Sequence, residues 1–219
     1  MSTGPGTIGR PRAFDEQTVL DRAAEVFWRH GYDGASLTAL TGAMGINRPS
    51  LYATFGSKEQ LFRRAFARYH DRQVAAARAA LDQPTAYASI EAFLRSSADG
   101  LTAEDHPPGC FSIQGGLACA PENARISESL AAGRAATEAA LQERLTRAAA
   151  QGELPDDVDP RALARFVMAL SEGHAVHAAA GAGRAELHAS VDIAMRAMPA
   201  QPESAARTRA PARSPRSRG

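Results

Sequence analysis

Apolar residues recur along this chain at helical spacing almost from end to end. Leu20, Ala23, Ala24 and Phe27 fall on one face of a first helix, with Asp15 placed to cap its start and Gly31 to stop it. A short helix from Ser36 to Met44 ends at Gly45. Another covers about 47–55, with Asn47 as its cap and Pro49 in its first turn. Ser57 with Gln60 three residues on is a capping-box pattern. It opens a long helix carrying Phe62, Ala65, Phe66 and Tyr69 as far as Gln83-Pro84. A helix over 85–101 follows, then a break at His106-Pro107-Pro108, and Gly109 to Ala120 reads as a short helix stopped by Pro121. Ile126, Leu130, Leu141 and Leu145 mark a long helix ending near Gly152. Leu163, Phe166, Val167 and Leu170 mark the next, and Leu187, Val191, Ala194 and Met198 the last. No alternating strand or hairpin signal interrupts this series, so the pattern predicts an all-α fold.

Composition agrees. Hydrophobic residues make up 44% of the 219, enough for a core and too many for wholesale disorder. The two ends differ: residues 1–13 are Gly/Pro-rich and read as a flexible arm, and residues 200–219 read as a disordered Arg/Pro-rich tail. No apolar run approaches the ~20 residues needed to span a bilayer, and the first residues lack a secretory pattern. Two cysteines are no disulfide framework, and the expected location is cytoplasmic. The net charge of +1 is unevenly spread: residues 1–70 hold nine Lys/Arg against six Asp/Glu, residues 71–199 eleven against seventeen, and the tail five against one. A basic head on an acidic body suits a polyanionic partner for the head.

The chemistry lies in the stretch from Ser36 to Tyr52. It encodes two short helices joined by a tight turn at Gly45, where a left-handed backbone is wanted. Leu40, Ile46 and Leu51 are spaced to clamp the pair, and Thr41 lies near the crossing. The second helix then presents Arg48, Ser50, Tyr52 and Thr54 outward, one guanidinium and three hydroxyls suited to base edges and phosphate oxygens in a major groove. Lys58, the only lysine, begins the next helix, where its ammonium and the free N–H groups suit a phosphate.

With Ala23-Ala24-Glu25-Val26-Phe27, Gly31 to Leu37, Gly45 to Tyr52 and Phe55 to Phe62 in this order, the stretch from about Phe14 to Tyr69 resembles the tetracycline-repressor (TetR) family of bacterial transcriptional regulators. Thr41 stands where alanine is common in that family, and Ala53 replaces a bulkier residue. The resemblance implies a DNA-binding head of three helices over 14–57. It also implies a helical effector-binding and dimerisation domain over 58–199, and a homodimer on a palindromic operator, released by a small molecule. Thr38, Arg48, Pro49, Ser50, Tyr52, Thr54 and Lys58 are the candidate DNA-binding residues, with Arg48 and Ser50 reading bases. Phe66, Phe93, Ser97, Phe111, Gln114, Leu117, Phe166 and His174 are the candidate effector-pocket residues, chosen from apolar faces and isolated polar groups. Helices over roughly 160–180 and 184–198 are the expected dimer face. Arg10 and Arg12 suit a minor groove or a solvated tail equally.

Rival readings are a helical protein-interaction adaptor and a redox-sensing regulator through Cys110 at a helix start. Cys110 and Cys119, nine residues apart, would face opposite sides of a shared helix. His174, His177 and His188 lack a convergent carboxylate or thiol, so no metal or other cofactor is expected. Gly4 to Gly9 matches a dinucleotide fingerprint by letters, without room for a preceding strand. No nucleophile elbow, phosphate loop or carboxylate pair supports an enzyme.

Overall fold

Asp15 starts the first helix as its side chain predicts, its carboxylate accepting from the backbone N–H groups of Gln17 and Thr18. The structure, a computed structural model, describes residues 15–116 and 119–198. Arg10, Arg12, Leu117 and the tail lie outside the described residues. Helix α1 spans Glu16–Gly34 but is broken at Gly31, whose φ of 67° and ψ of 173° are not helical. Glycine alone tolerates that backbone cheaply, so the stop signal acts as a sharp kink before one more turn. The short helices α2 (Leu37–Met44) and α3 (Arg48–Phe55) follow, capped by the side chains of Ser36 and Asn47.

Helix α4 runs from Lys58 to Leu81 and links head to body. Half of its capping box forms: Ser57 Oγ accepts from Gln60 N at 3.1 Å. Ser57 N instead donates to Phe55 O, and the Gln60 amide leans over Gly56. The body continues with α5 (Ala86–Leu101), α6 (Phe111–Gln114), α7 (Ala124–Ala150), α8 (Pro160–Ala179) and α9 (Arg184–Ala197). No strand occurs among the described residues.

One expectation fails here. The helix expected over 109–120 is a single turn, because Gly115 and Gly116 favour neither helix continuation nor distance from their neighbours. Gly116 N turns back to Ile113 O at 3.2 Å. A Cβ on Gly116 would lie 2.7 Å from the Leu130 side chain. Cys110 therefore caps α6 while Cys119 lies beyond it, and they share no helix.

The apolar stripes close over a core that crosses from head to body. Phe27 of α1 and Phe62 of α4 are fully buried, meeting edge to face at 5.0 Å between ring centres. Phe111 of α6 sits among Trp28, Phe62, Phe66 and Tyr69 at 5.5–6.0 Å. Each such buried ring contributes on the order of 1.5–3 kcal/mol. A second core packs the end of α4 against α5, α7, α8 and α9 through Leu94, Leu141, Leu145, Val167 and Val191. On the surface, Arg68 grips Asp21 with two bonds of 2.9 Å, Arg72 reaches the same carboxylate at 3.1 Å, and Arg64 pairs with Glu16. Such exposed pairs each contribute about 0–1 kcal/mol, but together they hold α4 in register on α1.

Candidate functional site

The α2–α3 unit is set by its turn. Gly45 adopts φ 67°, ψ 28°, and Ile46 N returns to Thr41 O at 3.2 Å. The left-handed residue swings α3 across α2, so Leu40, Met44, Leu51 and Phe55 are buried beneath the crossing and Ile46 packs at its edge. Thr41 spends its hydroxyl on Leu37 O at 2.8 Å, leaving the crossing free of an unpaired polar group.

What remains outside is polar. Thr38, Arg48, Pro49 and Tyr52 are exposed, and Ser50 and Thr54 are half-buried at the edge of the same face. An Arg48 terminal nitrogen donates to Thr38 Oγ1 at 3.0 Å, so α2 holds the guanidinium that α3 carries. Tyr52 leaves 48% of its surface in solvent. Lys58 does not extend freely: its Nζ lies 4.6 Å above the Tyr32 ring. Burial there pushes its pKa down, while nearby Asp33 pulls it up. Arg22, absent from the sequence expectations, reaches from α1 to the α2–α3 turn, 3.7 Å from where a Cβ on Gly45 would lie. That approach is purely tertiary, and no local pattern announces it.

The second feature is a cavity of about 260 Å³ between α4, α5, α7 and α8, closed at one end by α6. Of the residues expected in a pocket, Phe93 and Ser97 line it. Phe66 and Phe111 belong to the aromatic cluster between head and body. Gln114 turns toward the head and binds Trp28. Phe166 lies on the outer surface of α8, 50% exposed, since Leu163 and Val167 claim the inner face. His174 is buried but faces α9, its Nε2 2.9 Å from Ser190 Oγ. The wall also contains Tyr69, Cys110, Ser112, Arg134, Ser171 and Glu172, which sequence alone did not single out. They come from four elements, and only the packing of α6 and α7 on α4 and α8 gathers them.

Three ties connect α6 and the segments flanking it to the head. Besides the Gln114 bond, Trp28 stacks on His106 at 4.7 Å. Asp33, in the last turn of α1, accepts from Ala120 N at 2.6 Å and from the Asn123 side chain. Gly109 makes the first tie possible: with φ at 92°, its missing Cβ leaves room for the Gln114 side chain and Ala175 O. No helix among the described residues is long and apolar enough to cross a membrane, and no group of three or more His, Cys, Asp or Glu is placed to hold a metal.

A helix-turn-helix unit presenting a polar face, mounted by one long helix on an all-helical body with an internal cavity, defines a helix-turn-helix regulator in two parts. The chain belongs to the tetR family of bacterial regulatory proteins. The family model so described matches residues 19–65, and a model described as "Tetracyclin repressor-like, C-terminal domain" matches residues 86–198. The chain is 34% identical over 193 residues to the HTH-type transcriptional repressor ComR of Escherichia coli, covering 87% of this chain and 92% of that protein. Among solved structures, it is similar to a cysteine mutant of the TetR family transcriptional regulator CifR complexed with 26 bp double-strand operator DNA. That likeness has a TM-score of 0.82 and 42% identity, covering 87% of this chain and 100% of the other.

Proposed function

We propose that this chain is a transcriptional repressor that works as a homodimer, binds a palindromic operator through α3 and is released by a small molecule held in the body's cavity. The observation that carries the reading is the Arg48–Thr38 bond on the exposed face of α3. A guanidinium fixed at one end and free at the other is a preorganised donor for guanine O6 and N7. The operator complex of CifR supports DNA as the partner. In this reading residues 14–57 form the reading head and residues 58–199 the sensing body.

Arg48 and Ser50 read bases, while Thr38, Pro49, Tyr52, Thr54 and Lys58 fit the backbone of the duplex. The dimer forms through α8 and α9, whose outer surfaces leave Phe166, Val176 and Ile193 at least half exposed. The spacing 166, 169, 173 and 176 alternates three and four along α8, the stripe of a helix that packs on a partner helix. Two-fold symmetry then sets the two α3 helices about 34–36 Å apart, or a multiple. An effector preferring the other head spacing lowers operator affinity by its differential affinity for the two states.

The test is selection of binding sites from random duplexes, followed by sedimentation of the complex. A palindromic consensus bound by two chains is expected. Absence of any sequence preference, with protein partners captured instead, would favour an adaptor.

A further inference from the structure

The walls of the cavity restrict what it can hold, beginning with size. A cavity of ~150 Å³ lined by apolar side chains takes benzene, so 260 Å³ is room for about ten non-hydrogen atoms.

Charge restricts it further. The wall carries one cation and one anion of fixed charge, Arg134 on α7 and Glu172 on α8, and they face each other at 3.4 Å. Arg134 also donates to Ser112 O at 2.6 Å, so the guanidinium is already engaged on two sides. Burial and the adjacent Cys110 push the Tyr69 phenol well above its usual pKa, which keeps it neutral. His70 stacks on Phe66 at 5.7 Å. The two fixed charges of the wall therefore already cancel each other, so an ionic guest gains a net partner only by drawing one of them from the other, whereas an uncharged guest leaves the pair as it is.

Two of the wall's hydroxyls meet each other. Ser97 of α5 and Ser171 of α8 meet across the cavity wall, oxygen to oxygen, at 2.8 Å. One of the two protons is spent between them. The other, with the remaining lone pairs, is free for a guest. Phe93 and Met168 supply apolar surface on the same two helices.

We infer that the effector is an uncharged, mainly apolar molecule of about ten non-hydrogen atoms, carrying one hydroxyl or carbonyl oxygen that docks on the Ser97–Ser171 pair. This rests on the cavity being the effector site. The ligand class and the regulatory reading are nevertheless tested by different measurements. Phenylpropanol, phenylpropanoate, phenylpropylammonium and propylbenzene share one body and differ in the head group, and each is titrated into the full-length protein by calorimetry. The alcohol binds, and the two ions bind about tenfold more weakly. The double variant S97A/S171A removes both hydroxyls together and leaves neither unpaired. It weakens the alcohol about tenfold and leaves propylbenzene unchanged.

Equal or tighter binding of either ion overturns the inference, as does binding of none of the four. Equal loss of alcohol and hydrocarbon in the double variant overturns the docking role of the serines. An alcohol that binds as described yet leaves the operator occupied in a shift assay upholds the ligand class and overturns release by this cavity.

Discussion

Trp28 Nε1 donates to Gln114 Oε1 at 2.5 Å, a bond between residues 86 apart that joins the first helix of the head to the single turn of α6. Gln114→Leu leaves the buried indole N–H without an acceptor and lowers stability by about 1–3 kcal/mol. In a Trp28→Phe background, where no donor remains, the same replacement is expected to cost less than half as much. Urea denaturation of the four proteins measures the coupling directly. Additive losses would mean the bond carries no energy.

Arg48 depends on its neighbour in the same way. Arg48→Ala lowers affinity for the selected operator by about 1–3 kcal/mol and relaxes preference at the base pair it contacts. Thr38→Val, which frees the guanidinium, lowers affinity by about 0.5–1.5 kcal/mol. Once Arg48 is alanine the loss shrinks to what Thr38 contributes at the backbone of the duplex. Competitive binding to operator variants separates the two effects, and a Thr38→Val loss of the same size with and without Arg48 would assign Thr38 to the phosphates alone.

Lys58 is expected to act through charge only. Lys58→Gln weakens binding to every duplex similarly and makes the plot of log affinity against log salt shallower by about one per head. A sequence-dependent loss would instead place its ammonium at a base.

His174 gives the protein a pH response. Burial, then His177 and His188, hold its imidazole below the usual pKa. In the tautomer whose Nε2 donates to Ser190 Oγ, the neutral ring presents only a lone pair at Nδ1, which has no partner among the described residues. Protonation would create an unpaired N–H there. The unfolded chain takes up this proton near pH 6.5, and the folded chain only at lower pH. Below about 6.5 the unfolded state therefore binds more protons, and stability falls as the pH is lowered. The drop in urea midpoint between about pH 7 and pH 5 should be smaller in His174→Gln, which keeps a donor for Ser190. An identical drop in both proteins would acquit this residue.

A charge on the outer surface of α8 probes assembly. Phe166→Glu, at a half-exposed site, should leave the fold intact and shift micromolar protein to monomers in sedimentation, with operator binding lost. A variant that remains dimeric would move the interface elsewhere.

Local signals in the sequence carried the head well. Asp15, Asn47 and Ser57 each cap the helix they precede, and Gly45 takes the left-handed backbone its position suggests, while Gly31 kinks α1 instead of ending it. These interactions close within a few residues, so the chain's order displays them. The body was harder to read. Phe166 and Val167 belong to one apolar stripe, yet a rotation of about 100° puts the first in solvent and the second in the core. Which neighbour covers a stripe is decided by helix crossings that no spacing encodes. Arg134 and Glu172 meet across two helices, and Gln114 serves the head although it sits in a body segment. The overlong expectation for 109–120 had another cause: its apolar residues kept helical spacing while two adjacent glycines gave way to turn.

The aromatic cluster around Phe111 makes reader and sensor share a single thermodynamic fate. Phe62, Phe66 and Tyr69 are sequentially part of the connecting helix, yet all three pack against Phe111, while Phe62 also meets Phe27 and Tyr69 meets Trp28. A chimera spliced at residue 57 would exchange one half of that mosaic for rings of foreign shape. To graft this head onto another sensor, the transplant must extend through Tyr69 and the recipient must offer an aromatic counterpart to Phe111.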